Sequence, residues 1–415
     1  MRIKRVLLLL VVFILLSCML ALAGGEAGKG EKAKPGKPIK IGVPGAFTGP
    51  YATDGLVCKQ AVSFAVDEIN SRGGILGRPL EMVFYDVEDV MPEKVMASSE
   101  ALVMGEKVDL VITTWIDYGV DVKAYGRYDA PYFSGAASVL SLEAYQENPE
   151  QNFNYFEYMP IEFAYSTEGY PCIQKLPYKW PNKKLFSINE DDQWSHNIAD
   201  KFLELAKADG WKVVGDETVP IGNVEWGGIL TRIRAENPAL LYMVGLVPNA
   251  EAALLKQFHK DPTDSIIYFA YVPAIPDWIE LCGEYGNGVL WNQITYTYLD
   301  NPEAKEFYKA YTGKYGVEDW RIDYPGAIWD IMHMWEDAVI AVGDVTNYRE
   351  IVKYIEDHPY EGLNGKYVFP KETHTVITGD EYIPVPFSQV QNEKHVLLYP
   401  EEHAEGTFII PSYIK

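Results

Sequence analysis

Short apolar strands alternate with amphipathic helices along most of this chain of 415 residues. Residues 39–43, 80–85 and 108–112 are predicted strands, and apolar side chains recur at helical spacing between the first two. Strands joined by helices of this length form right-handed βαβ units with parallel sheets. Because ligands bind beyond the carboxyl ends of strands in such sheets, the loops that follow the strands are the candidate binding loops.

The second half of the chain repeats this alternation. Its predicted strands are residues 185–188, 211–214, 239–244, 266–270 and 289–294, and its predicted helices are residues 194–208, 249–258, 302–315 and 324–342. A chain of this length with 48% hydrophobic residues can build two lobes that each have a core. The predicted fold class is therefore α/β.

The run EINSRGGILGR at residues 68–78 is the most specific motif in the chain. Together with the strands and loops of residues 39–138, it resembles the first lobe of the type I periplasmic binding proteins of the branched-chain amino acid and amide group. The resemblance covers about residues 39–399. It implies two doubly wound parallel-sheet lobes joined by a three-stranded hinge, and a protein that delivers a solute to an ABC permease and catalyses nothing.

The resemblance also implies a division of the chain. Lobe 1 is expected to comprise residues 39–158 and 293–370, and lobe 2 residues 159–292. Residues 371–415 are expected to return across the hinge, complete lobe 2 and form a tail.

The N-terminus has the pattern of a targeting signal over residues 1–23, followed by a flexible Gly/Lys/Pro/Glu tether over residues 24–38. Three basic residues precede an apolar run over residues 6–16, and Leu15-Leu16-Ser17-Cys18 is similar to a lipobox with Cys18 as the lipidated residue. Cleavage after Ala23 and an uncleaved anchor are the alternatives. All three predict an extracytoplasmic protein, and lipidation predicts a tethered one.

The charge and the reactive side chains exclude several classes of protein. The formal net charge is −23, which disfavours nucleic acid as a partner. Taken alone, this charge favours a role in solubility or in a salty habitat over a field that attracts cations. The spacing of the histidines and cysteines predicts no metal site or cofactor, and the disulfide pairing of Cys58, Cys172 and Cys282 stays open. No nucleophile elbow, phosphate loop or zinc-protease motif is present, so we expect a binding protein rather than an enzyme.

The loops after the first-lobe strands supply seven candidate ligand residues: Tyr51, Asp54, Trp115, Asp117, Tyr118, Ala136 and Ser138. The resemblance implies that the last two contribute main-chain groups and a hydroxyl. Asp54 and Asp117 have the alternative of capping helices, and Trp115 has that of core packing. In amino-acid-binding relatives, small hydroxyl residues stand where Asp117 and Tyr118 stand here.

The second lobe supplies three further aromatic candidates, which are Tyr165, Trp194 and Tyr271. Aromatic faces beside carboxylates suit a cationic ligand. The predicted ligand is an amine, a betaine-like cation or an amide, with a branched-chain amino acid as the runner-up. A ligand-sensing receptor component on the same fold and a glycosidase-like enzyme, with Asp54 and Asp117 as its acid pair, are the alternative functions.

Overall fold

A computed structural model describes residues 36–415 apart from residues 50, 276, 300–301 and 317–323. Its first sheet has five parallel strands in the order β2-β1-β3-β4-β5. The strands are β1 (Ile39–Gly45), β2 (Leu80–Asp86), β3 (Leu110–Ile112), β4 (Tyr132–Ser134) and β5 (Tyr155–Glu157). The helices between them are α1 (Ala52–Ser71), α2 (Pro92–Ser99, continued by a π-helical segment, Glu100–Glu106), α3 (Val120–Tyr125) and α4 (Val139–Glu147). This sheet and its helices form lobe 1.

The second sheet has seven strands in the order β14-β13-β10-β9-β8-β6-β7. They are β6 (Lys184–Glu190), β7 (Lys212–Val219), β8 (Leu240–Val244), β9 (Ile266–Ala270), β10 (Leu290–Asn292), β13 (Phe387–Gln391) and β14 (Lys394–Tyr399). The first five are parallel, and β13 and β14 add an antiparallel edge. The helices of this part are α5 (Phe163–Lys175), α6 (Gln193–Ala208), α7 (Gly227–Glu236), α8 (Pro248–Phe258) and α9 (Trp278–Cys282). This sheet and its helices form lobe 2.

The chain between β10 and β13 returns to lobe 1. It forms α10 (Pro302–Tyr315), α11 (Pro325–Val342), α12 (Tyr348–Asp357) and a small ribbon of β11 (Tyr360–Glu361) and β12 (Lys366–Tyr367). Helix α11 packs against α1. Farther along, Thr375 forms a parallel bridge with Glu157 at the end of β5 before the chain enters β13 in the second sheet. The predicted α/β class with parallel sheets is confirmed.

The parallel strands are buried on both faces, as their apolar sequences require, except for the edge strands β2 and β7, which are mostly half-buried or exposed. Every residue of β8 and β9 is buried. Helix α6 is amphipathic and presents Ile198, Phe202 and Leu203 to the sheet. Within the described residues, none of the helices is long and apolar enough to cross a membrane.

Candidate ligand-binding cleft

A cleft with an empty volume of about 860 Å³, which includes its opening to solvent, lies where the carboxyl ends of the two sheets meet. Most of its walls come from loops that directly follow strands, as parallel-sheet topology dictates. It is lined by Tyr51, Asp54, Val90, Trp115, Tyr118, Ala136, Ala137, Met159, Tyr165, Asp192, Trp194, Ile221, Leu246, Tyr271, Ile294 and Tyr324.

Lobe 1 contributes an aromatic wall made of Tyr51, Trp115 and Tyr118. The Tyr51 ring packs edge-on against Trp115 with ring centroids 5.0 Å apart. The Tyr118 ring is parallel to Trp115 at 6.1 Å, with an interplanar angle of 4°. The indole Nε1 of Trp115 donates a hydrogen bond of 3.2 Å to Asp54 Oδ2, so a carboxylate is joined directly to this wall.

Lobe 2 contributes a second aromatic wall made of Tyr165, Trp194 and Tyr271. The Trp194 ring packs edge-on against Tyr165 at 5.3 Å and against Tyr271 at 5.6 Å. Tyr165 donates through its hydroxyl to Gln293 Oε1, which fixes its ring beside the segment that leaves β10 for lobe 1. The cleft therefore offers aromatic faces and edges from both lobes.

Two carboxylates belong to the cleft. Burial raises the pKa of Asp54 to about 6, and the hydrogen bond from Trp115 acts in the opposite direction. Asp192 lies in the loop after β6, where its Oδ1 accepts a hydrogen bond of 2.9 Å from Ser195 N and so caps α6. Of the described residues that line the cleft, none is a lysine, arginine or histidine. The charge of these walls is therefore negative.

Three residues of the cleft have a positive φ without being glycine. Tyr271 has φ 69° and ψ −66°, and Ala137 and Val90 have φ values of 55° and 54°. Such conformations cost of order 1–3 kcal/mol each and persist only where surrounding contacts impose them. At Tyr271 those contacts include a hydrogen bond of 3.1 Å from its N–H to Asn292 O. Strain of this kind is concentrated at binding sites.

The lobes are joined at the edge of the cleft. Trp194 Nε1 donates a hydrogen bond of 3.3 Å to Ala137 O in the opposite lobe. Glu162 is fully buried in the segment between β5 and α5, and it accepts from Val139 N of lobe 1 at 2.6 Å and from Asn197 Nδ2 of lobe 2 at 2.8 Å. These contacts hold the two walls at a defined separation in this conformation.

The structure brings eight of the ten ligand residues predicted from sequence into one cleft: Tyr51, Asp54, Trp115, Tyr118, Ala136, Tyr165, Trp194 and Tyr271. Asp54 is in the first turn of α1 and makes no capping bond, so the capping alternative for it is wrong. Trp115 both packs against the core and lines the cleft.

Asp117 and Ser138 are outside the lining of the cleft. Asp117 Oδ1 accepts a hydrogen bond of 2.7 Å from Val120 N at the start of α3, so its side chain does what the capping alternative proposed. Ser138 Oγ accepts from Leu140 N at 3.2 Å and caps α4. Both side chains accept hydrogen bonds from the helix that follows, because each stands just before the free N–H groups at the start of that helix.

Half of the lining was not predicted from the sequence. Asp192 stands two residues before Trp194, and Ile221 and Leu246 follow β7 and β8, so the rule that ligands bind beyond strand ends would have selected them. Val90 and Ala137 follow β2 and β4 in the same way. Met159 and Ile294 likewise stand two residues after the ends of β5 and β10, whereas Tyr324 stands directly before α11 and carries no comparable signal.

Three further points of the sequence analysis concern the cysteines, metal binding and the N-terminal signal. Cys58, Cys172 and Cys282 are buried free thiols, so no two of them are joined by a disulfide. In the described part of the chain, no cluster of three or more His, Cys, Asp or Glu side chains could hold a metal ion. Cys18, together with the predicted signal and nearly all of the tether, lies outside the described residues.

A family model described as "Periplasmic binding protein" matches residues 38–391, which is most of the chain. The chain belongs to the periplasmic binding protein family. This membership confirms the resemblance, and it makes the chain one of a family of solute-binding proteins rather than enzymes.

The curated relatives of this periplasmic binding protein are distant in sequence. Leu/Ile/Val-binding protein BraC3 of Rhizobium johnstonii is 25% identical over 53% of this chain and 58% of that protein. Leu/Ile/Val-binding protein homolog 3 of Brucella melitensis is 23% identical over 66% of this chain and 72% of that protein. The match thus spans little more than half the length of the Rhizobium protein.

Solved structures share the fold over nearly their whole length. The substrate-binding protein LivJ of Streptococcus pneumoniae, solved with isoleucine, has a TM-score of 0.72 at 19% identity and covers 86% of this chain and 97% of that chain. A solute-binding protein of R. palustris, solved with benzoate, has a TM-score of 0.68 at 18% identity and covers 91% of this chain and 99% of that chain. At identities this low, the structural likeness shows the two-lobed fold alone.

Proposed function

We propose that this periplasmic binding protein is the extracytoplasmic solute-binding component of an ABC importer. It captures one small organic solute in the cleft by closure of the two lobes and delivers it to a membrane permease. The family membership supports solute capture, and the cleft at the strand ends of both sheets supports its location.

The preferred ligand carries a positively charged or strongly hydrogen-bond-donating nitrogen group, as in an amine, a betaine-like cation or an amide. The observation that carries this choice is Asp54, a carboxylate joined to the aromatic wall of Trp115 inside the cleft. Aromatic faces attract cations through their quadrupole, and a carboxylate beside them balances the charge.

A branched-chain amino acid is the second candidate. Relatives named Leu/Ile/Val-binding proteins and the neighbour solved with isoleucine favour it. Val90, Ile221, Leu246 and Ile294 also give the cleft an aliphatic part that suits such a side chain. Against it, the carboxylate of an amino acid would enter a cleft that already holds two acids.

Thermal-shift screening of the purified protein against amines, betaines, amides and amino acids tests this proposal. Ligand at 100 times its dissociation constant should stabilise the folded state by about 2.7 kcal/mol. Calorimetry should then show one ligand per chain. A shift with leucine or isoleucine and none with any amine, betaine or amide would establish the second candidate. Lack of any shift across a full solute panel would contradict solute capture.

The same proposal includes attachment to the membrane through the lipobox Cys18. Substitution Cys18→Ala in a host that processes lipoproteins should move the protein from the membrane fraction to the extracytoplasmic fluid. Continued membrane attachment of this variant would favour an uncleaved anchor.

A further inference from the structure

The two carboxylates of the cleft come from opposite lobes. Asp54 lies in the first turn of α1, after β1 of the first sheet, and Asp192 lies after β6 of the second sheet. Any movement that opens the cleft therefore separates these two charges, and any movement that closes it brings them together.

In this conformation both carboxylates lie near the same phenol groups. Burial raises the pKa of Tyr51 and of Tyr118, and the negative charges of Asp192 and Asp54 raise both pKa values further. Since Tyr51 and Tyr118 belong to the lobe 1 wall, Asp192 faces that wall from across the cleft.

Asp192 also has an unsatisfied atom. Its Oδ1 caps α6, whereas its Oδ2 is buried and has no hydrogen-bond partner in the described part of the chain. A buried carboxylate oxygen without a partner is costly, and such an atom calls for a donor from a ligand or a water molecule.

We propose that Asp54 and Asp192 hold one positively charged ligand group between them, so that capture of a cation drives closure of the cleft. In the empty protein the two like charges oppose closure. A cation between them replaces this repulsion with two attractions, and the aromatic walls of both lobes surround it. A ligand without a positively charged group lacks this closing force, and a zwitterion loses part of it because its own carboxylate is repelled by the two acids. This inference rests on the proposed function and adds the charge that the ligand must carry.

The chain offers conservative variants for the test. Asparagine at position 192 removes the charge and keeps a side-chain oxygen to cap α6, because asparagine is as good a cap as aspartate. Asparagine at position 54 can likewise accept from Trp115 Nε1. Asp117→Asn is the matched control, since it removes one charge from a neighbouring loop, retains its cap and does not line the cleft.

The first measurement needs no ligand. Small-angle scattering of the full chain should give a smaller radius of gyration for the double variant Asp54→Asn/Asp192→Asn than for the wild type at low salt, because repulsion across the cleft is gone. Asp117→Asn should match the wild type. An unchanged radius in the double variant would overturn the coupling of these charges to closure.

The second measurement uses choline as the cationic probe and L-leucine as the zwitterionic one, with calorimetry as the readout. Each single variant should weaken choline binding by at least about tenfold, and Asp117→Asn should leave it intact. Equal choline affinity in Asp192→Asn and the wild type would overturn the proposal and leave a water molecule as the partner of Oδ2. Tight leucine binding with no choline binding would also overturn it, yet would leave solute capture standing.

Discussion

Burial raises the pKa of several carboxyl groups outside the cleft, and Asp121 is one of them. Asp121 is fully buried, and it accepts hydrogen bonds from Gly119 N at 3.0 Å and from the Tyr132 hydroxyl at 2.6 Å. Burial raises its pKa from 3.8 to about 7 despite these bonds. Because the unfolded state releases this proton at a lower pH, the folded state holds a proton that the unfolded state lacks throughout the interval between the two values.

The sign of the resulting pH dependence follows from this difference. Raising the pH through the interval from about 4 to about 7 favours the unfolded state, so Asp121 contributes a loss of stability on the order of 2–4 kcal/mol by pH 8. We expect urea denaturation to give a lower free energy of unfolding at pH 8 than at pH 5. The variant Asp121→Asn should show a smaller difference between the two pH values. Identical pH dependence in variant and wild type would contradict this assignment.

Single residues also show how much of the cleft can be predicted from sequence. Trp115 and Trp194 were predictable because each stands shortly after a strand end, a position that depends on local periodicity alone. Asp54 and Asp117 have the same chemistry and the same kind of position, and only one lines the cleft. Asp117 differs from Asp54 because its carboxylate accepts a hydrogen bond from Val120 N. The spacing of residues in the sequence does not predict the direction of the local backbone that makes this bond possible. Asp192 could have been predicted by the same rule, because it lies in the loop after β6, where it both caps α6 and lines the cleft.

At the scale of elements, the β1–α1 connection positions the acid of lobe 1. Gly55, the residue after Asp54 in α1, lies so close to the end of β1 that a Cβ on it would be 2.1 Å from Ala46 O. Only glycine permits so close a contact between α1 and the residue after β1. This contact fixes the start of α1, and with it the positions of Asp54 and of Tyr51, which directly precedes the helix. The helix could be predicted from the periodicity of its apolar residues, but this tight contact could not, because it depends on tertiary packing.

Substitution Gly55→Ala should therefore displace the first turn of α1. We expect it to destabilise the fold by about 1–3 kcal/mol through overpacking and to weaken ligand binding as well. Gly228→Ala is the matched control, because Gly228 is an exposed residue of α7 and a Cβ on it would meet no other atom within 4 Å. The control should keep its binding and gain up to about 1 kcal/mol. Chemical denaturation and calorimetry of both variants measure the two effects, and wild-type binding by Gly55→Ala would refute the argument.

The antiparallel strands β13 and β14 at the edge of the second sheet were not predicted from the periodicity of the sequence. The C-terminal tail packs on this sheet, since Gln389 Nε2 donates to Ile409 O at 2.7 Å and Tyr413 donates through its hydroxyl to Ser265 O at 3.1 Å. No place for this tail could be predicted from the sequence. Its contacts are side-chain hydrogen bonds between segments far apart in the chain, and short-range patterns do not encode them.

At the scale of the whole molecule, the net charge and the cleft act in the same direction. The sequence beyond residue 37 carries a formal net charge of −28, because the first 37 residues carry +5. A field of this sign raises the local concentration of cations and their association rate at low salt. Screening limits its reach to about 8 Å at physiological ionic strength, so selection of the ligand falls to the groups inside the cleft.

The proposed closure requires contacts that join the lobes, and Trp194 provides one that can be removed alone. Its Nε1 donates to Ala137 O across the cleft while its ring packs against Tyr165 and Tyr271. Substitution Trp194→Phe keeps an aromatic ring and removes the donor. We expect it to weaken ligand binding by about 0.5–1.5 kcal/mol, the usual net value of one hydrogen bond, because that bond forms only when the lobes meet.

Scattering and calorimetry together test this expectation. The wild type should show a smaller radius of gyration when saturated with the ligand found in the screen, and Trp194→Phe should require more ligand to reach the same radius. Trp180→Phe is the matched control, since Trp180 packs against Tyr178 and Trp211 in lobe 2 and does not line the cleft. If both tryptophan variants bind like the wild type, the Trp194–Ala137 bond does not contribute to closure. If the saturated wild type keeps the radius of the empty protein, the lobes do not close on the ligand, because expulsion of water from a closing cleft must make the molecule more compact.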